Sequence, residues 1–166
     1  MIRPARFADE PVIEAMIREM HAASKYAGRV AISDKALTNV VRGLIASHGS
    51  TGPQGTWVAV AEEDGKVVGF MAGVLDRVYH VGSKLVANDA YLVVRPGAKA
   101  AHSLQLIDGY VAWAQGIRAV LEIKLSWTNT LPGAARAAKI YERKGFAAVG
   151  EIYEMRLDAE DRELAA

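Results

Sequence analysis

The sequence predicts an α/β (α+β) fold: one mixed, mostly antiparallel central sheet with helices on both faces. Three observations predict it. Two amphipathic helical stripes come before residue 50, after a short alternating start. Three strand-like runs then follow one another between residues 56 and 94, the first two joined by Asp64-Gly65, a strong hairpin signal. Helix and strand alternate from there on. The resulting order is β α α β β β α β α β. No internal repeat and no linker divides it, so residues 1–158 read as a single domain and 159–166 as a polar tail.

Each element has a local reason. "MIRPARF" alternates, and Pro4 suits an edge or a strand end. "ADEPVIEAMIREMHAAS" carries Val12, Ile13, Met16, Ile17 and Met20 on one stripe, with Asp9 or Ala8 near its start and Pro11 in its first turn. "KYAGRVAI" is a connector. "SDKALTNVVRGLIASHG" is a second helix, capped by Ser33 or Asp34, stopped by Gly49, with Leu37, Val40, Val41, Leu44 and Ile45 facing inward. After a turn-rich loop at 49–55, strands are expected at 56–63, 66–80 and 84–94. A helix is expected from about Lys99 to Gln115, its stripe Leu104, Ile107, Val111 and Ala114 widened by Leu106, Tyr110 and Trp113. "AVLEIKLSW" reads as a strand, "AARAAKIYERKG" as a helix ended by Gly145, and "FAAVGEIYEMRLD" as one bent strand or two short ones.

Composition narrows the classes. The 166 residues suffice for one sizeable core. With 20 basic and 19 acidic side chains, charge makes no case for nucleic acid as a partner. The absence of cysteine excludes disulfides, thiolate metal sites and a Cys nucleophile. No apolar run approaches the roughly 20 residues that span a bilayer, and no signal peptide is legible, so a soluble cytoplasmic protein without membrane contact is expected. His21, His48, His80 and His102 are scattered, and no His/Asp/Glu set has metal-ligand spacing, so no metal is expected.

The stretch "VVRPGAKAAHSL" at 93–104 is the most suggestive turn. A strand ends, Pro96-Gly97 turns the chain, and a helix opens among small side chains. The first N–H groups of a helix lack intrahelical partners and its dipole is positive there. Ala98, Ala100, Ala101 and Ser103 leave the backbone open to a phosphate, and Lys99 adds a cation. It is neither a Walker motif nor G-x-G-x-x-G. Pro-Gly after a strand is also ordinary turn chemistry.

Three segments, in order, carry a resemblance. "VRP" at 94–96 followed by "GAKAAHSL" is similar to a V-x-P opening and a basic, glycine-rich pyrophosphate turn, with alanines in place of glycines. "LSWTNTLPGAARAAKIYERKGF" places Asn129, Tyr141, Gly145 and Phe146 on a late motif that ends in YEKxGF. "IRPARFADEPVIEAM" resembles an IRxAxxxDxxxI start. Together they resemble the GNAT N-acetyltransferase superfamily, over nearly the whole chain.

The resemblance implies a sheet splayed between its fourth and fifth strands and the use of acetyl-CoA. The pantetheine arm would pair with the backbone of Leu92, Val93 and Val94, and a backbone N–H near Val93 would polarise the thioester. Lys99, Ala100, Ala101, His102, Ser103 and Asn129 would complete the coenzyme site. A primary amine would attack directly. Tyr141 would give the leaving thiolate its proton, its phenol having a pKa near ~10. Asp89, expected by alternation to share a face with Tyr91 and Val93, would serve as base, with Glu122 as second candidate. Tyr26, Arg29, Tyr79 and His80 are candidates for the acceptor pocket. A homodimer paired through the last strand fits the same family. Two other readings stay open from the residues: a non-catalytic module of this fold that binds coenzyme A or a protein, and a different nucleotide-binding α/β protein.

Overall fold

Five strands hydrogen-bond in chain order: β1 (Ile2–Pro4), β2 (Thr56–Glu63), β3 (Lys66–Arg77), β4 (Leu85–Val94) and β5 (Val120–Lys124). The first four pair antiparallel, and β4 pairs β5 in parallel. The computed structural model of the chain describes residues 1–155. They fall into two compact units, residues 1–135 and the stretch from Arg136 onward. Pro4 is tolerated because β1 is an edge strand.

In the first unit, helices lie on both faces of the sheet, as expected. α1 (Glu10–Ala22) and α2 (Asp34–Ala46) bury Ile13, Met16, Ile17, Leu37, Val41 and Ile45 against Val58, Val60, Phe70 and Ala72. The Ser33 hydroxyl caps α2 by accepting from the Ala36 N–H at 3.3 Å. Arg3 ties β1 to the start of α1: its guanidinium grips both Asp9 oxygens at 2.7 and 2.9 Å and Glu62 at 2.7 Å. The other face carries α3 (Ala101–Gln115), which buries Leu106, Ile107, Tyr110 and Ala114. Tyr110 packs between Trp57 and Trp113, and a Cβ on Gly73 would run into its ring. Gly73 is therefore a close-approach glycine.

In the second unit, α4 (Arg136–Arg143) ends in a Schellman motif. The Phe146 N–H donates to the Tyr141 carbonyl at 3.1 Å, and the Gly145 N–H to that of Glu142 at 3.0 Å. Gly145 sits at φ +88, the left-handed region. The Tyr141 and Phe146 rings lie 6.4 Å apart, the apolar contact that accompanies such a stop.

Three expected strands differ. The strand expected at 66–80 ends at Arg77 and passes into a single 3-10 turn, where Tyr79 and His80 both have positive φ. The strand expected at 119–127 ends at Lys124. The closing strand expected at 146–158 is absent from residues 146–155, which have no regular secondary structure and no ladder partner among the described residues and expose Val149, Ile152, Tyr153 and Met155. Alternating side chains do not make a strand where no edge pairs with them. Residues 156–158 and the polar tail at 159–166 lie outside the described residues.

Candidate active site

The parallel ladder pairs Val86 with Glu122, Ala87 with Ile123 and Asn88 with Lys124, then stops. β4 runs on to Val94 with no partner on that side among the described residues. The sheet is thus split between β4 and β5 from Asp89 onward.

A β-bulge sits at the fork. On β3, Ala72 pairs with Tyr91 but the next residue, Gly73, pairs with Asp89, so Ala90 is extra. Adjacent residues of β3 face opposite ways, and so do their partners. Tyr91 packs 5.8 Å from the Phe70 ring on the α1–α2 side. Asp89 lies on the α3 side with Tyr110. Simple alternation, which puts Asp89 on the face of Tyr91 and Val93, fails here because the bulge inserts one residue.

The bulge also sets which backbone groups face the split. The Arg95 N–H donates to the Val68 carbonyl at 2.8 Å, and Val93 pairs with Phe70 two residues further along the same ladder. The N–H and C=O of Val93 therefore point at β3, and those of Leu92 and Val94 point into the cleft. Of the three residues expected to meet the pantetheine arm, two offer their backbone and Val93 does not.

Asp89 is half-buried. Its Oδ1 accepts from both the Ser126 N–H and the Ser126 hydroxyl, each at 3.0 Å. Burial raises its pKa above the usual carboxylate range, against the opposing pull of the Ser126 donors. Beside it, the buried Tyr110 hydroxyl donates to the Lys124 carbonyl at 3.2 Å. Burial first, and the nearby Asp89 charge second, push the Tyr110 phenol pKa upward. Glu122, the second candidate base, is exposed and sits 3.3 Å from Lys124.

Beyond Val94 the turn is open, as expected from its small side chains. Gly97 has φ +86. Ala98 and His102 spend their N–H groups on the carbonyls of Arg95 and Lys99. Those of Gly97, Ala100 and Ala101 make no backbone hydrogen bond among the described residues, and Ser103 lies in the first turn of α3. The side chains of Lys99 and His102 are engaged elsewhere. Glu63, at the end of β2, takes the Lys99 ammonium at 3.0 Å and the buried His102 ring at 3.2 Å. The pairing lowers the Glu63 pKa and raises that of Lys99. A pocket of about 330 Å³ between Lys99, His102 and the β2–β3 turn lies on this hairpin side.

Asn129 accepts from the Lys25 ammonium at 3.0 Å, and the Lys25 N–H donates to the Thr130 carbonyl at 3.0 Å. The α1–α2 connector, which carries Tyr26 and Arg29, is thereby tied to the loop after β5. Tyr79 and His80 sit in the turn before β4, at the opposite end of that strand from the open turn, where His80 pairs with Asp76 at 2.6 Å. The structure does not bring them to the cleft. Tyr141 belongs to the second unit and holds the C-terminal turn of α4. Ser126, Tyr110 and Glu63 were not legible as site residues. Ser126 reads as a strand residue and Tyr110 as helix stripe; their partners, the Asp89 carboxylate and the Lys124 carbonyl, come from other strands.

No protein-family model matches the chain, and no curated protein does. Solved structures match over almost its full length. The aminoglycoside N-acetyltransferase AAC(6')-Iy in complex with CoA is 17% identical with a TM-score of 0.68, covering 95% of this chain and 93% of its own. A ribosomal-protein-alanine N-acetyltransferase from Brucella melitensis is 17% identical with a TM-score of 0.62, covering 95% and 99%. A transcriptional regulator from Bacillus halodurans is 17% identical with a TM-score of 0.68, also covering 95% and 99%. At this identity the likeness is one of fold: the chain has the fold of the GNAT acetyltransferases.

Proposed function

We propose that the chain is a GNAT-superfamily N-acetyltransferase that moves an acetyl group from acetyl-CoA to a primary amine. The observation that carries this reading is the free edge of β4, where Leu92 and Val94 aim N–H and C=O groups into a cleft that runs directly into the open turn at 96–101. An extended arm bearing amides fits such an edge as an added strand. A diphosphate fits the N–H groups of Gly97, Ala100 and Ala101 at the start of α3. The coenzyme in the AAC(6')-Iy complex and the amine acceptors of the aminoglycoside and ribosomal-protein enzymes support the same chemistry.

In this reading the residues divide the work. The Leu92 N–H, which faces the cleft where that of Val93 does not, polarises the thioester carbonyl in this reading. The second Asp89 oxygen accepts the proton released as the amine nitrogen bonds to the acyl carbon. As the carbon–sulfur bond breaks, Tyr141 protonates the thiolate, a role that rests on its place in "IYERKGF". The α1–α2 connector borders the acceptor, and Asn129, tied to that connector through Lys25, completes the coenzyme site.

Calorimetry with acetyl-CoA, ATP and NAD, followed by thiol release with a panel of amines, amino acids and peptide N-termini, tests this. Micromolar binding of acetyl-CoA alone and amine-dependent thiol release are expected. Binding without release on any amine would leave a coenzyme-binding module, and no heat with any CoA species would end the reading.

A further inference from the structure

The β4–β5 split has a visible cause. In a parallel pair with Asn88 opposite Lys124, the next amide of β5 in register to reach a β4 carbonyl is that of Ser126. That N–H is instead taken by the Asp89 side chain at 3.0 Å, and the same carboxylate oxygen takes the Ser126 hydroxyl. Two residues before, the Lys124 carbonyl receives the Tyr110 hydroxyl at 3.2 Å. The groups where the ladder ends are thus met by side chains. Gly73 gives Tyr110 the space to stand there, and the extra Ala90 re-aims the edge of β4 beyond the fork.

We propose that Asp89 is a ladder stop: by capturing the Ser126 N–H, it prevents β5 from zipping further onto β4 and keeps the edge of Leu92 and Val94 available to a ligand. An exposed strand edge next to a parallel neighbour pairs by default, because unpaired backbone groups are costly when covered. A carboxylate is a stronger acceptor than a carbonyl, so it wins the N–H. Asp89 is a positioning residue in this role, independent of any proton it accepts. The consequence for the coenzyme rests on the acetyltransferase reading; the consequence for the sheet does not.

Two variants separate the roles. Asp89→Asn keeps an oxygen that accepts from Ser126 but cannot act as a base. Asp89→Ala keeps neither. Amide hydrogen exchange reads the cleft edge directly, without ligand. The Leu92 amide should exchange fast in the wild type and in Asp89→Asn, and at least tenfold more slowly in Asp89→Ala, where the ladder extends. Acetyl-CoA affinity by calorimetry should stay within threefold of wild type in the Asn variant and fall at least tenfold in the Ala variant. If Asp89→Ala does not fold, Asp89→Ser, whose hydroxyl stops one bond short of Ser126, is read in the same way. Wild-type exchange at Leu92 in the folded Ala or Ser variant overturns the ladder stop. Slowed exchange in a chain whose wild type binds no acetyl-CoA keeps the ladder stop and overturns the coenzyme reading instead.

Discussion

A single carboxylate oxygen at Asp89 accepts two hydrogen bonds, which leaves the other oxygen for a proton. Burial holds the folded pKa above the unfolded value. Two consequences follow with definite sign. As base, Asp89 works only when ionised, so kcat/KM should fall as pH drops through this raised pKa, and Asp89→Asn should abolish that acidic limb along with most of the turnover. For stability, the folded state holds its proton longer than the unfolded state. Asp89 therefore removes stability as pH rises from the unfolded pKa through the folded one, and urea midpoints of the Asn variant should lack that decline. Asp9 shows the opposite case: its Arg3 partner lowers its pKa, so its contribution is full above the unfolded value and fades as pH falls through the folded one. At Tyr141 the ring and the hydroxyl have separable duties. Tyr141→Phe keeps the ring contact with Phe146 that closes α4. Turnover should drop about 100-fold, the usual scale for a general acid, while acetyl-CoA affinity and thermal midpoint hold. Unchanged turnover where chemistry limits the rate would remove Tyr141 from the mechanism.

Among the elements, α4 shows how a short motif can be read twice. Tyr141, Gly145 and Phe146 hold three positions of the Schellman stop: an apolar ring in the last turn, a left-handed residue, and the ring beyond it that packs on the first. Gly145→Ala should therefore destabilise the second unit by about 1 kcal/mol, because Ala strains at positive φ. Faster amide exchange in residues 140–146, with the exchange of β2–β4 unchanged, is the expected signature. The helices were legible because their signals are local: the stripe of α2, the Ser33 hydroxyl before it, Pro11 in the first turn of α1. The strands were legible where both faces carry a pattern and an antiparallel neighbour matches it, as in β2 to β4. The end of β5 was not, because it depends on a side chain 37 residues away in sequence, Asp89 upon Ser126. The bulge at Ala90 was hidden for the same reason. A register shift is a property of two strands, and alternation within one of them carries no trace of it. The Lys99 and His102 side chains look like phosphate ligands on the page of the sequence, yet Glu63 claims both from across the β2–β3 hairpin.

At the scale of the whole molecule, the strand order follows the order of elements, the split follows from the Asp89–Ser126 contact at its fork, and the proposed chemistry follows from the split. A ligand that lies along β4 and grips the start of α3 holds together groups from the strand edge, the turn and the helix at once. It binds the folded chain and has no such site in the unfolded one, so mass action must raise the unfolding temperature. At a concentration 100 times its Kd, acetyl-CoA should add about 2.7 kcal/mol. For a domain of this size each kcal/mol moves the midpoint by about 2–4 °C, so a shift of about 5–10 °C is expected. ATP and NAD at the same concentration lack the amide-bearing arm and should shift it by less than about 1 °C. Replacing Leu92 by Pro deletes the N–H that faces the cleft while leaving the β3 ladder at Val93 and Tyr91 in place, and it should remove most of the acetyl-CoA shift. A full shift in Leu92→Pro would mean that the arm does not pair with β4, and that the diphosphate at the turn carries the binding alone.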